Sequence, residues 1–419
     1  MGSVVFKIAL ALVLIISAFI VARVNTRRGD AYSASLPIML AILIRLAIFV
    51  LVYYVLGATV PSDVRDFYYP QAKAALSGGI WNLDFPSSYS PLFPYVEACL
   101  LLVADNPLTF VLFSLCFDIL TLWFWNRLVA DFDSKAAAEV SIAYAFSAPV
   151  ILTALVGQQQ IWIGAGLAAS AYLLVRNKTA ASGFLQGLTL CTTKVLVVLF
   201  WPALFGASNR RTRWVASAIL APLITLIIFA FLGAEFLRGF RAEQLDFTSG
   251  NAIYYLDYLL EIGLKTPWVY DIITFVALCA VSSIITVIFF TLEKSDGAVK
   301  TILIIFSVSL LLATFMITSK KSYTNYLSFA YFPWLFVFYK GLSGKGFFGA
   351  WSLLSVAGSA QASLWFANGG NHLWLKDWIN AAGWRAVLPS LITEIVLLVL
   401  YAWIATYTLI VFIRRCRRI

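Results

Sequence analysis

ASLPIMLAILIRLAIFVLVYYVLGA, residues 34–58, carries one charge, Arg45, and no alternation of polar and apolar positions. A run of this length and continuity reads as a helix able to cross about 30 Å of hydrocarbon. It gives way to PSDVRDFYYPQAKAALSGGIWNLDFPSSYSPLFP, residues 61–94, the longest early interruption in a chain of 419 residues that is 62% hydrophobic and 12% charged. No soluble fold hides that much apolar surface. Backbone polar groups inside a bilayer must be satisfied within the protein, which leaves helices or a closed barrel, and continuous runs select helices. The expected fold is all-α, a polytopic helical membrane protein.

Further apolar runs lie at 4–22, 107–130, 137–156, 159–176, 181–193, 195–207, 214–232, 271–292, 299–318, 324–339, 346–366 and 386–412. Threaded as alternating spans they give about 13 transmembrane helices in one domain over 1–419, with the N-terminus outside and the C-terminus inside. The first run lacks a small-x-small cleavage site before Arg23 and reads as an uncleaved span. The run 92–104 is too short to cross alone and reads as a dipping or interfacial segment. The runs 181–193 and 195–207 read as two half-length helices meeting at Lys194.

The net charge of +10 is spread through short loops between apolar runs. That is a footprint of membrane topology, not of nucleic-acid binding. The loops holding Arg23/Arg27/Arg28, Arg127/Lys135, Arg176/Lys178, Arg210/Arg211/Arg213, Lys294/Lys300, Lys340/Lys345 and Arg414/Arg415/Arg417/Arg418 fall on one side, which the positive-inside rule makes cytoplasmic. Five scattered cysteines show no paired spacing, and the single histidine, His372, excludes a multi-histidine metal site.

The opposite face collects the chemically richer loops: 61–91 (the first external loop), 157–160, Lys194, 233–270 (the second large external loop), 319–323 and 367–385. Asp63 and Asp66, three apart, share a face if the segment is a helical turn. One would serve as a base that removes a proton from an attacking hydroxyl, and the other would orient it or hold a metal. They also fit an ordinary solvated loop start. The stretch after them, with Phe67, Tyr68, Tyr69, Ala72, Ala75 and Leu76 apolar, reads as an interfacial amphipathic helix. Lys194 between two apolar half-helices is expensive unless it meets an anion or snorkels to the interface. Lys320 and Lys321 lie on the same face, where a fixed cation would stabilise a departing phosphate. Arg238 and Arg241 would bind lipid phosphate or anchor a helix in headgroups, and His372 would touch a phosphate or a sugar hydroxyl. Arg45 and Asp118 lie mid-span at matching depth and should pair, since each alone is costly in lipid. Glu97 and Glu394 are further embedded acids with no evident partner.

The order of these features resembles the GT-C superfamily of integral-membrane glycosyltransferases. It is most similar to the polyprenyl-phosphate-sugar-dependent mannosyltransferases and the catalytic subunit of the first glycosylphosphatidylinositol mannosyltransferase. The resemblance rests on SDVRDFYYPQAKAALSGG with SSYSPLFPY, on GQQQ at Gly157–Gln160, on TLCTTKVLVVLFWPALF around Lys194, and on KKSYTNYLSFAYFPW, covering about residues 60–335 in order. Gln160 is a departure, since many relatives carry an acid there.

The resemblance implies an inverting transfer of a monosaccharide from a polyprenyl-phosphate donor to a glycolipid or glycan acceptor at the outer face of the plasma membrane. Asp63 or Asp66 would be the base, with Asp63 nearer the family pattern in its distance from Gly79. Lys194, Lys320, Lys321, Arg238, Arg241 and His372 would hold the donor phosphate. Tyr69, Tyr89, Gln158, Gln160 and Tyr326 would line the sugar and acceptor pocket. Two acids without helper ligands do not hold a metal tightly, and any cation used would be of the Mg2+ or Mn2+ kind. Two rival readings stand beside this one. A lipid-linked-sugar flippase would show polar residues and broken helices along a central path. A non-catalytic subunit of a glycan-assembly complex would tolerate loss of both acids.

Overall fold

The computed structural model describes residues 4–28, 35–236, 251–262, 267–292, 297–367 and 375–416. Arg238, Arg241 and His372 lie outside the described residues. Among the described residues, seven helices are long and apolar enough to cross a membrane: Val4–Arg23, Leu36–Val55, Leu108–Ala130, Arg211–Phe231, Trp268–Thr291, Gly297–Thr318 and Trp384–Arg415. The chain is a multi-pass helical membrane protein. An eighth span results if Ser134–Ala145 and Ala148–Leu155, bent by 53° at their junction, count as one. The bend falls where Ser147 turns extended, just ahead of Pro149, which is tolerated only in the first turn of the following helix. Other expected runs are helical but shorter, such as Gln160–Val175 (16 residues) and Tyr331–Gly341 (11 residues).

The charged loops gather at one end. Arg176 Nη2 donates to Asp131 Oδ2 at 2.7 Å and Lys340 Nζ to Asp133 Oδ2 at 2.6 Å. Lys300 Nζ donates to Asn209 Oδ1 at 2.7 Å, and Asn209 in turn contacts Asn177. The helices leaving these loops run to the other end, where Asp105, Gly157, Lys194 and Ser319 stand. Gly297–Thr318 is the central element, with 78% of its apolar window buried, against 22–44% for the other six spans.

Two features fix the helices that carry the site. Arg45 and Asp118 do pair, fully buried, with Arg45 Nε donating to Asp118 Oδ2 at 2.5 Å. Tyr144 donates its hydroxyl to Asp118 Oδ1 at 2.6 Å, and Arg45 Nη1 reaches the Ala145 carbonyl at 2.8 Å. These additional bonds offset part of the desolvation of both charges. Helix Thr179–Thr192 packs along Arg211–Phe231 through Gly183 and Gly187. A Cβ on either would stand 2.3 Å from the Trp214 or Ala218 carbonyl oxygen. Small residues four apart let two membrane helices approach to backbone contact.

Candidate active site

The segment Asp63–Tyr68 winds as a π-helical turn before the helix Tyr69–Leu76. Its hydrogen bonds span five residues, so positions three apart do not share a face. This corrects the expectation for the two acids. Val64 and Tyr68 are fully buried, whereas Arg65, Asp66 and Phe67 are exposed. Asp66 forms a two-pronged pair with Arg65, Nε to Oδ1 at 2.7 Å and Nη2 to Oδ2 at 2.9 Å. The Arg65 guanidinium holds the Asp66 carboxyl below the usual carboxylate range. Asp63 is half-buried and points the other way, accepting from Gln158 Nε2 at 2.5 Å.

The GQQQ turn is shaped to meet that acid. Gly157 has φ +68, and a Cβ there would lie 2.7 Å from Val64 Cγ2. Only glycine gives both the left-handed backbone and the close approach to the π-helical turn. Gln158 therefore reaches Asp63. Gln159 and Gln160 turn inward and are buried; both amide atoms of Gln159 and Oε1 of Gln160 have no hydrogen-bond partner in the structure.

A second arm brings Lys194. The backbone N–H groups of Ser90 and Leu92 donate to the carbonyls of Thr193 and Cys191 at 3.0 and 2.9 Å. The SYSPL segment is thereby tied to the break between helix Thr179–Thr192 and the 3-10 turn Val195–Phe200. Lys194 sits in that break with extended backbone, its Nζ 4.8 Å from the centroid of the Tyr89 ring. Tyr89 donates its hydroxyl to that of Tyr68 at 3.2 Å, and the two rings meet edge to face at 5.1 Å. Burial pushes the Tyr68 phenol well up, with Tyr89 and Asp63 adding to it, so Tyr68 serves as a neutral hydrogen-bonding group. Tyr68, Tyr89 and Lys194 thus form one linked set, and Asp63, held by Gln158, begins the same π-helical turn that carries Tyr68 and acts on its phenol electrostatically. Glu97, on the short helix Phe93–Leu101, is buried, and its Oε2 has no partner in the structure.

Other expected residues stand elsewhere. Tyr69 faces outward, donating to Asp105 Oδ1 at 2.8 Å, and Lys73 pairs with the same carboxylate. The inward aromatic is its neighbour Tyr68, expected from the sequence only as part of the apolar face of an interfacial helix. Tyr326 is buried against Phe315 and Phe329 in the aromatic core. Lys320 is buried and donates to Asp271 Oδ2 at 2.7 Å. It belongs to a second cluster, in which Asn251 Nδ2 donates to the Ser319 carbonyl at 2.7 Å and Lys321 N–H to Ser319 Oγ at 3.1 Å. Nearby, the Trp365 and Trp378 rings meet at a tilt of 57°, their centroids 4.6 Å apart. Glu394 also has a partner, Gln361 Nε2 at 2.6 Å. Among the described residues no group of three or more His, Cys, Asp or Glu side chains comes together, and the divergence of Asp63 and Asp66 denies a cation that pair of ligands.

Comparison of the chain with protein families, with curated proteins and with solved structures gives no match.

Proposed function

We propose that the chain is an inverting glycosyltransferase of GT-C type, with more than the seven long spans crossing the bilayer as shorter or broken helices. It takes a monosaccharide from a polyprenyl-phosphate donor at the external face of the plasma membrane and passes it to a glycolipid or glycan acceptor. The observation that carries this reading is that one π-helical turn holds both Asp63, bonded to Gln158, and Tyr68, which bonds to Tyr89, the ring over which Lys194 sits.

In this reading Asp63 takes the proton of the acceptor hydroxyl as its oxygen forms a bond to the anomeric carbon. The bond from that carbon to the phosphate oxygen breaks on the opposite face, and polyprenyl phosphate leaves with both electrons. Lys194 stabilises the charge that grows on the departing phosphate. The buried amides of Gln159 and Gln160 offer hydrogen bonds to sugar hydroxyls. Asp66 has no part in proton transfer, since it is exposed and neutralised by Arg65.

The test uses the full chain in proteoliposomes with polyprenyl-phosphomannose and its glucose counterpart as probes. Sugar transfer and lipid translocation are read separately. Transfer that falls about 10²–10⁴-fold in Asp63→Asn supports the assignment of a general base. Translocation without transfer, or full transfer by Asp63→Asn, overturns it.

A further inference from the structure

At the basic end a groove of about 480 Å3 opens between the first helix, Val4–Arg28, and the helix Gly344–Ala367. Its walls are Phe19, Gly344, Lys345, Phe348, Gly349 and Ser352. The helices run antiparallel: Lys7 Nζ donates to Ser363 Oγ at 2.5 Å towards one end, and Phe19 packs on Phe348 at 4.8 Å towards the other. One turn beyond Phe19 stands Arg23, and one turn before Phe348 stands Lys345, both exposed. The register brings these two cations to the same mouth. Gly344 and Gly349 leave the floor open, since a Cβ on either meets nothing within 4 Å.

We propose that this groove is a binding site for an anionic phospholipid, one acyl chain lying between Phe19 and Phe348 and the headgroup phosphate between Arg23 and Lys345. The volume falls in the range of about 300–1,000 Å3 that holds one ligand. Apolar walls with cations only at the rim match a lipid's apolar tail and charged head. The groove sits at the end where Arg176, Lys300 and Lys340 also gather, the end that the positive-inside rule places beside the anionic cytoplasmic leaflet. Nothing in this site overlaps the residues around Asp63, so the two readings stand or fall separately.

Native mass spectrometry of the full chain, titrated with phosphatidylglycerol and phosphatidylcholine of identical acyl chains, tests it. The first phosphatidylglycerol should bind about tenfold tighter than the first phosphatidylcholine. Lys345→Gln should lower that preference about fivefold, as expected for one surface cation beside an anionic headgroup. Gly349→Leu adds a side chain where a Cβ meets nothing within 4 Å, narrows the groove and should reduce retention of both lipids. Helix content and monodispersity of the variants are checked by circular dichroism and gel filtration. Independently, a photoreactive phosphatidylglycerol should cross-link in the unmodified protein to peptides holding Phe19 and Phe348. Equal retention of the two lipids, unchanged retention by Gly349→Leu, cross-links only elsewhere, or a dimer that Gly349→Leu dissociates would each overturn the proposal.

Discussion

Asp63 Oδ2 and Gln158 Nε2 stand 2.5 Å apart although 95 positions separate them in the chain. The bond joins the π-helical turn Asp63–Tyr68 to the GQQQ turn that opens helix Gln160–Val175. A carboxylate held through one oxygen by a single neutral donor is fixed in orientation and still has a second oxygen to accept a proton.

Gln158→Leu should therefore cost activity without unfolding the chain. A hydrogen bond to a charged group contributes about 1.5–3 kcal/mol, so a fall of about 10- to 100-fold in kcat is expected. Gln158→Glu places a second carboxylate against Asp63. A like charge disfavours the ionised form and raises the pKa of the acid, so the acidic limb of the pH–rate profile should move to higher pH. An unshifted limb would show that Asp63 is not the titrating base.

Gly157→Ala should destabilise the protein in two separable ways. The left-handed backbone alone costs about 1–2 kcal/mol in an L-residue. The added methyl also collides with Val64 Cγ2, which lies 2.7 Å from its position. Adding Val64→Ala removes the collision and leaves the backbone strain. Thermal unfolding of the single and double variants should give a favourable coupling of about 0.5–3 kcal/mol, and simple additivity would rule out the contact.

Asp118→Asn or Arg45→Met should each lower stability by about 3–5 kcal/mol, because each leaves a buried charge alone. Arg45→Met combined with Asp118→Leu and Tyr144→Phe should recover most of the loss. The measurement is the thermal midpoint in detergent at constant lipid. A triple variant no better than the singles would mean that the network is needed for the helices to pack at all.

Asp66→Asn should leave transfer within about twofold of the unmodified protein, since exposed ion pairs contribute little. A loss as large as that of Asp63→Asn would put the base at the wrong acid.

The sequence exposes those parts of the structure whose alternative is too costly in lipid. Arg45 and Asp118 were bound to find each other because neither survives alone at mid-span, and the break at Lys194 follows from a charge interrupting an apolar run. The bend between Ala145 and Ala148 lies inside a continuous apolar run where Pro149 is the one local mark of a break, and hydropathy alone reads straight through it. Asp63 and Asp66 diverge because a π-helical turn changes the period by which sequence spacing becomes a face, and the same change exchanges Tyr68 for Tyr69. Asp271, the partner of Lys320, lies 49 positions away on another helix, and no local pattern could name it.

The two backbone bonds from Ser90 and Leu92 to Thr193 and Cys191 have a mechanical consequence. They splice the aromatic loop to the broken helix, so Tyr89 and Lys194 travel as one body. Any excursion that widens the mouth on one flank must drag the other along or sever both links, and a guest entering from either flank meets a wall of fixed width.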